Sequence, residues 1–508
     1  MLYLLVFVSG MSGLAVEMAA ARLLDPYFGN SLIVWANLIG LILLYLSAGY
    51  VLGGWLVDRL PRAERLYEMV AWAALGVGLV PTLAPPVLRL AVGGFANYDG
   101  ALLAGSLLGV LALFSVPVTL LGAVSPFAIG LEVRRREGPG RVAGTVYALS
   151  TLGSILGTFL PVLVLIPNVG TRWTFWLIAL GLWLVAFAGM LQKGLKRAYL
   201  YLGIPALVFV LAWTFQGRPI KPDEALLFET ESAYNYIQVL QRGDDTLLKL
   251  NEGQGIHSVH NPHAPLTDAI FDYFLIAPFF NPPPYEAGQV QSLCLLGLAG
   301  GTVADLYTRA YGPIWIDGAE LDPRIIQVGR TYFGMNQPNL HAFGADGRWF
   351  LTRSRRRYDI VAVDAYRPPY IPFHLTTREF FLEVRQHLTE DGVLAINVAR
   401  AQGDDSLVLA LASTAAAVFP SVFAVPEPIP EGEALGNTLV VATVRPSSVS
   451  SLEENSRALE HPMLREVANR AVLLAQEVRT DGPVLTDDRA PVEQIVHGII
   501  LRYLLRDE

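Results

Sequence analysis

The hydrophobic pattern changes near residue 216. Before it, apolar residues run in blocks long enough to cross a bilayer, which takes about 20 of them. Seven blocks predict membrane helices, at roughly 1–21, 31–57, 66–90, 101–131, 142–166, 171–191 and 198–215. Pro117 and Pro126 fall in the fourth, where a missing N–H predicts a kink. "GYVLGGWLVDR" (49–59) and "GSILG" (153–157) place small residues as closely packed membrane helices do.

After residue 216 the periods shorten. Residues 226–260 alternate in strand fashion, with "YNYIQVLQ" (234–241), a turn at "RGDD" and then "TLLKLNEG", which predicts a small β unit. "NPPPYEAG" (281–288) punctuates. Strands at about 291–298, 313–321, 341–345, 358–364 and 392–398 then alternate with helical stretches. Apolar strands separated by helices predict a parallel sheet covered on both faces. Beyond it, 405–419 reads as a helix, 422–445 as a strand pair and 452–477 as a helix. A final helix runs from "LTDDRAPVE" to 505. The expected architecture is a multi-span α-helical membrane domain (1–216), a small β unit (217–285) and an α/β Rossmann-like, class I methyltransferase-like domain (286–508).

Composition agrees with this division. The chain has 508 residues, too many for one ordinary domain, with 53% hydrophobic and only 16% charged residues. A net charge of −8 argues against nucleic acid and suits a cationic substrate. Cys294 is the one cysteine, so no intrachain disulfide can form, and it reads as a buried small hydrophobe. The N-terminus lacks a basic leader, which reads against a cleaved signal peptide. Glu17, Arg22 and Asp58 lie near span ends, where an interfacial role is expected. Basic residues cluster in alternate loops: Arg59, Arg62 and Arg65; Arg134, Arg135, Arg136 and Arg141; Lys193, Lys196 and Arg197. The positive-inside rule puts these loops in the cytoplasm. Seven spans would then carry the soluble half to the other side.

Ligands of such a sheet gather where its parallel strands end. The first strand ends in Gly297-Leu298-Ala299-Gly300-Gly301. The second places Glu320 at its tip, 23 residues beyond Gly297, where a carboxylate suits a ribose diol. The third offers Asp346 to a donor such as an adenine amino group, and the fourth projects Asp364. A glycine turn and three acids in this order describe an adenosine site. Each also has a structural reading: Glu320 or Asp322 as a helix cap, Asp346 as a turn residue. Nothing in the turn suits a pyrophosphate, and no cluster suggests a metal.

These motifs resemble the spermidine synthase family of polyamine aminopropyltransferases, in its membrane-bound bacterial branch. In the first half the likeness rests on "RLLDPYFGNSLIVW" (22–35), "GYVLGGWLVDR" and "YALSTLGSILGTFLPVLVLIPNVGTRWTF" (147–175). In the second it rests on "SAYNYIQV", "LKLNEG", the glycine turn, "AELDP", "ADG", "YDIVAVDAY", "IPFHLTTREFF" (371–381) and "LTDDRAPVE" (485–493). The resemblance implies transfer of an aminopropyl group from decarboxylated S-adenosylmethionine to an amine such as putrescine, with 5′-methylthioadenosine as by-product. It implies no tightly bound cofactor, a homodimer, and a soluble half on the cytoplasmic side where the donor is made. Asp364 matches the catalytic aspartate that accepts the amine proton. Asn235, Gly297, Gly300, Gly301, Glu320, Asp346 and Gly347 are the donor-side residues.

Two positions depart from the family. Ala299 replaces the aspartate that holds the donor's ammonium, and Arg367 replaces a second aspartate three residues after Asp364. Asp268 and Asp272 are candidate replacements. Tyr234, Tyr273 and Tyr366 are candidate aromatic walls, and His374 a candidate lining of the acceptor pocket. The departures keep two other readings open. One is a methyltransferase using ordinary S-adenosylmethionine, its carboxylate paired with Arg367. The other is a polyamine sensor or transporter with a degenerate synthase domain, since "GYVLGGWLVDR" also resembles a loop motif of major-facilitator transporters.

Overall fold

The computed structural model describes every residue except 30–31, 95–100, 136–137, 195–197, 216, 252–254, 367–370, 431–434 and 505–508. It divides into two compact units: Met1–Gln238 with Leu250–Gly253, and Val239–Lys249 with Gln254–Glu508.

The first unit carries helices α1 (Leu2–Phe28), α2 (Leu32–Arg59), α3 (Ala63–Gly94), α4 (Ala101–Gly122), α5 (Val124–Val133), α6 (Pro139–Leu160), α7 (Ile166–Gln192) and α8 (Gly203–Phe215). Among the described residues, six stretches are long and apolar enough to cross a membrane, where the sequence predicted seven. The difference lies in the expected fifth and sixth spans. They are continuous from Pro139 to Gln192 through a π-helical turn at Pro161–Leu165, but this run is two helices that break at Gly170, between the expected 142–166 and 171–191. Gly170 alone leaves helical geometry, at φ 82° and ψ 169°, and bends the run there. The predicted kink in the fourth span is the α4/α5 break at Ala123. Pro126 has no N–H to offer the carbonyl of Gly122, four residues back.

Small residues set the helix contacts. A Cβ on Gly153 or Gly157 would run into the carbonyls of Phe7 and Met11 on α1. One on Gly49 or Gly53 would meet the backbone of Thr119 and Ala123. Both small-residue motifs therefore serve helix packing. Arg59 stacks its guanidinium 4.3 Å from the Trp55 ring, and Asp58 pairs with Arg134 at 3.2 Å.

The chain after α8 is tied to helix ends of the same unit. The Tyr27 hydroxyl donates to the Ile220 carbonyl at 2.8 Å. Thr171 donates its N–H and hydroxyl to Glu231, the last residue of strand β1 (Leu226–Glu231). Arg22 donates to the carbonyls of Ser232 and Tyr234 at 2.6 and 3.1 Å. Strands β2 (Tyr236–Arg242), β3 (Asp245–Leu250) and β4 (Ile256–His260) follow, where alternation placed strands. β3 and β4 pair antiparallel, Leu247 opposite Val259.

The second unit is built on an eight-stranded sheet. In chain order its elements are a short helix α9 (Ile270–Tyr273), β5 (Ser292–Leu296), α10 (Thr302–Tyr311), β6 (Trp315–Glu320), α11 (Pro323–Tyr332), β7 (Leu340–Gly344), α12 (Gly347–Arg353), β8 (Tyr358–Val363), α13 (Arg378–Gln386), β9 (Leu388–Ala401), α14 (Ser406–Ala416), β10 (Ser421–Pro426), β11 (Leu435–Thr443), α15 (Ser450–Ser456), α16 (Pro462–Leu474), β12 (Gln476–Glu477) and α17 (Val492–Leu504). The strand order is β12-β10-β11-β9-β8-β5-β6-β7. β7, β6, β5, β8 and β9 are parallel, as expected; β11, β10 and β12 add an antiparallel edge. The helix expected over 452–477 is two, because Pro462 starts a new helix at its first position.

Successive strand residues point to opposite faces, so each strand feeds two cores. Leu293, Leu295, Ala362, Ala395 and Val441 join one core; Cys294, Leu296, Val361, Val363 and Ile396 join the other. Cys294 is fully buried, and desolvation pushes its thiol well up. The chain leaves β5 in one direction through β6 and β7. It then returns to place β8 on the other side, so the crevice opens between the ends of β5 and β8.

Substituting Gly157→Val is expected to destabilise the detergent-solubilised protein by about 1–3 kcal/mol, because backbone cannot move aside for the added side chain. Gly144→Ala, with nothing within 4 Å of its Cβ position, is the control and is expected to be neutral. Chemical unfolding followed by tryptophan fluorescence reads the difference.

Candidate active site

The glycine turn closes against its neighbouring strand. A Cβ on Gly297, at φ 95°, would strike the backbone of Asp364, so only glycine fits. The Asp364 N–H donates to the Leu296 carbonyl at 2.9 Å, extending the β5/β8 ladder by one residue. Ala299 sits at φ 48°, a conformation that costs an alanine roughly 1–2 kcal/mol. Two hydrogen bonds hold the turn there. The Ala299 N–H donates to Glu320 Oε2 at 2.9 Å, and the Gly300 N–H donates to the Ser258 hydroxyl at 2.8 Å. Thr302 adds reciprocal bonds to the Val259 backbone, both at 2.9 Å.

Two carboxylates at this crevice are half-buried. Desolvation pushes Glu320 up to about 7, against the lowering effect of N–H groups from Asp322 and Ala299. Desolvation likewise pushes Asp364 up to about 6, and a hydrogen bond from Asn397 Nδ2 to Asp364 Oδ1, at 2.9 Å, opposes it. A carboxylate in this state gains from a cationic ligand, which returns part of the lost solvation. The cap expected of Asp322 is present: its Oδ1 accepts from the Arg324 N–H at 2.9 Å.

Asp346 caps α12 by accepting from the Trp349 N–H, and its other oxygen meets His374 Nε2 at 2.9 Å. That imidazole, ahead of the cap, holds the Asp346 carboxyl below its usual range. Gly347 packs where its Cβ would stand 3.2 Å from Leu296 Cβ, against the end of β5. His374 therefore belongs with Asp346 rather than standing alone. Asp487 accepts from Arg348 through both oxygens, at 2.8 and 2.9 Å, and from the Thr377 hydroxyl. It is an ion-pair partner of Arg348.

The remaining candidates fall in three places. Tyr366 accepts a hydrogen bond from the Ala399 N–H, which fixes its ring beside β9. Asp272 is 1% exposed and accepts from Thr267 and the Asp268 N–H. Arg470 of α16 bonds both Asp268 and Asp272, at 2.9 and 3.2 Å. Their negative charge is thus balanced by an arginine 198 residues away in the chain, which the sequence pattern did not signal. Tyr234 and Asn235 belong to the first unit. Arg22 binds the Tyr234 carbonyl, and Asn235 Oδ1 accepts from Asn251 Nδ2 at 3.1 Å. Arg367 lies outside the described residues. Asn397 was missed, although it is a polar residue ending the apolar stretch "GVLAI", as the acids do on their strands.

Residues 310–449 match the family described as the spermine/spermidine synthase domain. A probable polyamine aminopropyl transferase of Bifidobacterium longum (strain NCC 2705) is 32% identical over 294 residues, 54% of this chain and 63% of that protein. The match thus spans slightly less than two thirds of that relative. The polyamine aminopropyltransferase 2 of Aquifex aeolicus (strain VF5) is 22% identical over 412 residues, 77% of this chain and 78% of its own, so its likeness takes in part of the helical first unit. A crystal structure of a probable spermidine synthase from Corynebacterium glutamicum ATCC 13032 matches with a TM-score of 0.39 and 18% identity, over 52% of this chain and 98% of that one.

Glu320→Gln removes one of the two acceptors that a ribose diol would use at this crevice. It is expected to weaken binding of decarboxylated S-adenosylmethionine by roughly 10- to 100-fold in isothermal titration calorimetry. Unchanged affinity would place the ribose elsewhere.

Proposed function

We propose that this protein is a polyamine aminopropyltransferase that moves the aminopropyl group of decarboxylated S-adenosylmethionine to putrescine or a related amine. The observation that carries the reading is Asp364. It stands at the switch point of a synthase domain, beside the glycine turn, with one carboxylate oxygen hydrogen-bonded and the carboxyl pushed up to about 6. A base of that kind can take a proton from an amine near neutral pH.

The step balances on these residues. The neutral amine donates its lone pair to the methylene next to the sulfonium. The C–S bond breaks, its electron pair stays on sulfur, and 5′-methylthioadenosine leaves. The excess proton on the new secondary ammonium passes to Asp364. The glycine turn and Glu320 hold the adenosine, with Asp346 and Gly347 on its adenine side. Tyr366 and His374 line the acceptor side in this reading. Six apolar stretches support placement of the protein in the cell membrane as a multi-span chain. Supply of the donor favours a cytoplasmic second unit.

Ala299 supports a second reading. A turn without the donor-binding aspartate leaves room for a donor that keeps its carboxylate, as ordinary S-adenosylmethionine does. Methyl transfer is the outcome that would establish it.

Asp364→Asn keeps the shape and removes the base. Aminopropyl transfer is expected to fall by about 10²- to 10⁴-fold, with donor binding retained. In the unsubstituted protein, kcat/KM is expected to drop as pH falls through about 6, because a protonated Asp364 cannot accept the amine proton. Full activity in Asp364→Asn would remove Asp364 from the mechanism.

A further inference from the structure

Backbone N–H groups in a glycine turn that opens a helix form a ready anion site. In this chain those groups are already engaged. From Gly297 to Gly301, each N–H has an acceptor within the protein. Gly297 and Leu298 donate to the Ala319 carbonyl at 2.9 and 3.1 Å, and Gly301 donates to the Leu298 carbonyl at 2.9 Å. Ala299 donates to Glu320 Oε2 at 2.9 Å, and Gly300 to the Ser258 hydroxyl at 2.8 Å. The next three residues, Thr302, Val303 and Ala304, are buried. Ser258 is the member of this set with no role so far. It is 1% exposed on β4, opposite Leu248 of β3. Thr302 bonds the neighbouring Val259 backbone in both directions, which holds Ser258 against the turn. A Cβ on Gly300 would stand 2.9 Å from Ser258 Cβ, so the two segments already meet at closest approach.

We infer that Ser258 is a positioning residue that sets donor specificity: by taking the Gly300 N–H it leaves the turn unable to hold a carboxylate, so the site takes a sulfonium donor that carries an amine and no carboxylate. The inference rests on the aminopropyl-transfer reading above, in which the amino end of the donor comes to Ala299. In S-adenosylmethionine the carboxylate hangs from the carbon that bears this ammonium, so it comes to the same turn. There it loses water and meets the Ala299 methyl group and N–H groups that are already bonded. A carboxylate desolvated without donors is strongly disfavoured. The decarboxylated donor has hydrogen in that place and leaves nothing unpaired. The ammonium is common to both donors and cancels in the comparison. Ala299 therefore makes space for a carboxylate without supplying a partner for it, and the site discriminates by the unmet group in the wrong complex.

The test is calorimetric binding to the full-length protein in detergent, with no amine present. Three ligands are compared: decarboxylated S-adenosylmethionine, S-adenosylmethionine, and the carboxamide of S-adenosylmethionine, which keeps the size and removes the charge. The unsubstituted protein is expected to bind the decarboxylated donor about 100-fold more tightly than S-adenosylmethionine, with the carboxamide nearer the decarboxylated donor. Ser258→Ala frees the Gly300 N–H. S-adenosylmethionine is then expected to gain about 10-fold, while the decarboxylated donor stays within about twofold. Ser258→Thr keeps the hydroxyl and should keep the preference. Equal changes for both donors in Ser258→Ala would make Ser258 only a support for the turn and overturn the inference. A carboxamide bound as weakly as S-adenosylmethionine would mean exclusion by bulk, which also overturns it. If Ser258→Ala does not fold, the unsubstituted protein still decides: equal affinity for the two natural donors overturns the inference. A protein that shows the preference but transfers no aminopropyl group removes the aminopropyl-transfer reading and leaves the donor filter. An active transferase without the preference removes the inference alone.

Discussion

The contact between the Gly297 α-carbon and the backbone of Asp364 is the constraint on which the site depends. It lets β5 and β8 run side by side to their last residues, with no side chain wedged between them. Three consequences follow from that approach. Asp364 continues the ladder, and its carboxylate emerges at the crevice in a defined place. The turn then bends back, so that the Ala299 N–H reaches Glu320 on the next strand. β9, paired to β8 on its far side, delivers Asn397 to the same carboxylate. The glycine turn, Glu320 and Asp364 are one geometric unit rather than three separate features.

Charge explains why the unit suits a cationic ligand. Glu320 and Asp364 are both desolvated, and each receives too few hydrogen bonds to restore an ordinary carboxylate pKa. Acids elsewhere in the second unit are treated differently. Asp268 and Asp272 share Arg470, and Asp487 shares Arg348 with Glu383. The crevice carboxylates have no basic partner among the described residues, which fits a sulfonium or ammonium arriving from solution. Ala299 keeps the left-handed turn while supplying no charge.

Much of this was legible in the sequence, and what was legible was local. Period-two alternation placed β2 and β3, apolar runs between helical stretches placed the five parallel strands, and each strand-end acid was visible because an apolar stretch stops at it. The long apolar blocks placed the helices, and their glycines marked the contacts. What stayed hidden depends on distant partners. Nothing near Asp272 announces Arg470, and nothing near Asp346 announces His374, until the fold brings them together. Asn397 was hidden for a different reason. An asparagine at a strand end gains meaning only when the register sets it beside Asp364.

The central claim is that the crevice uses the decarboxylated donor for aminopropyl transfer. The most direct measurement is mass spectrometry of the products formed by the purified, detergent-solubilised protein. Putrescine would be supplied with decarboxylated S-adenosylmethionine and, in parallel, with S-adenosylmethionine itself. The account predicts spermidine and 5′-methylthioadenosine from the decarboxylated donor and no product from the parent. A methylated amine from the parent donor, or no product from either, would contradict it.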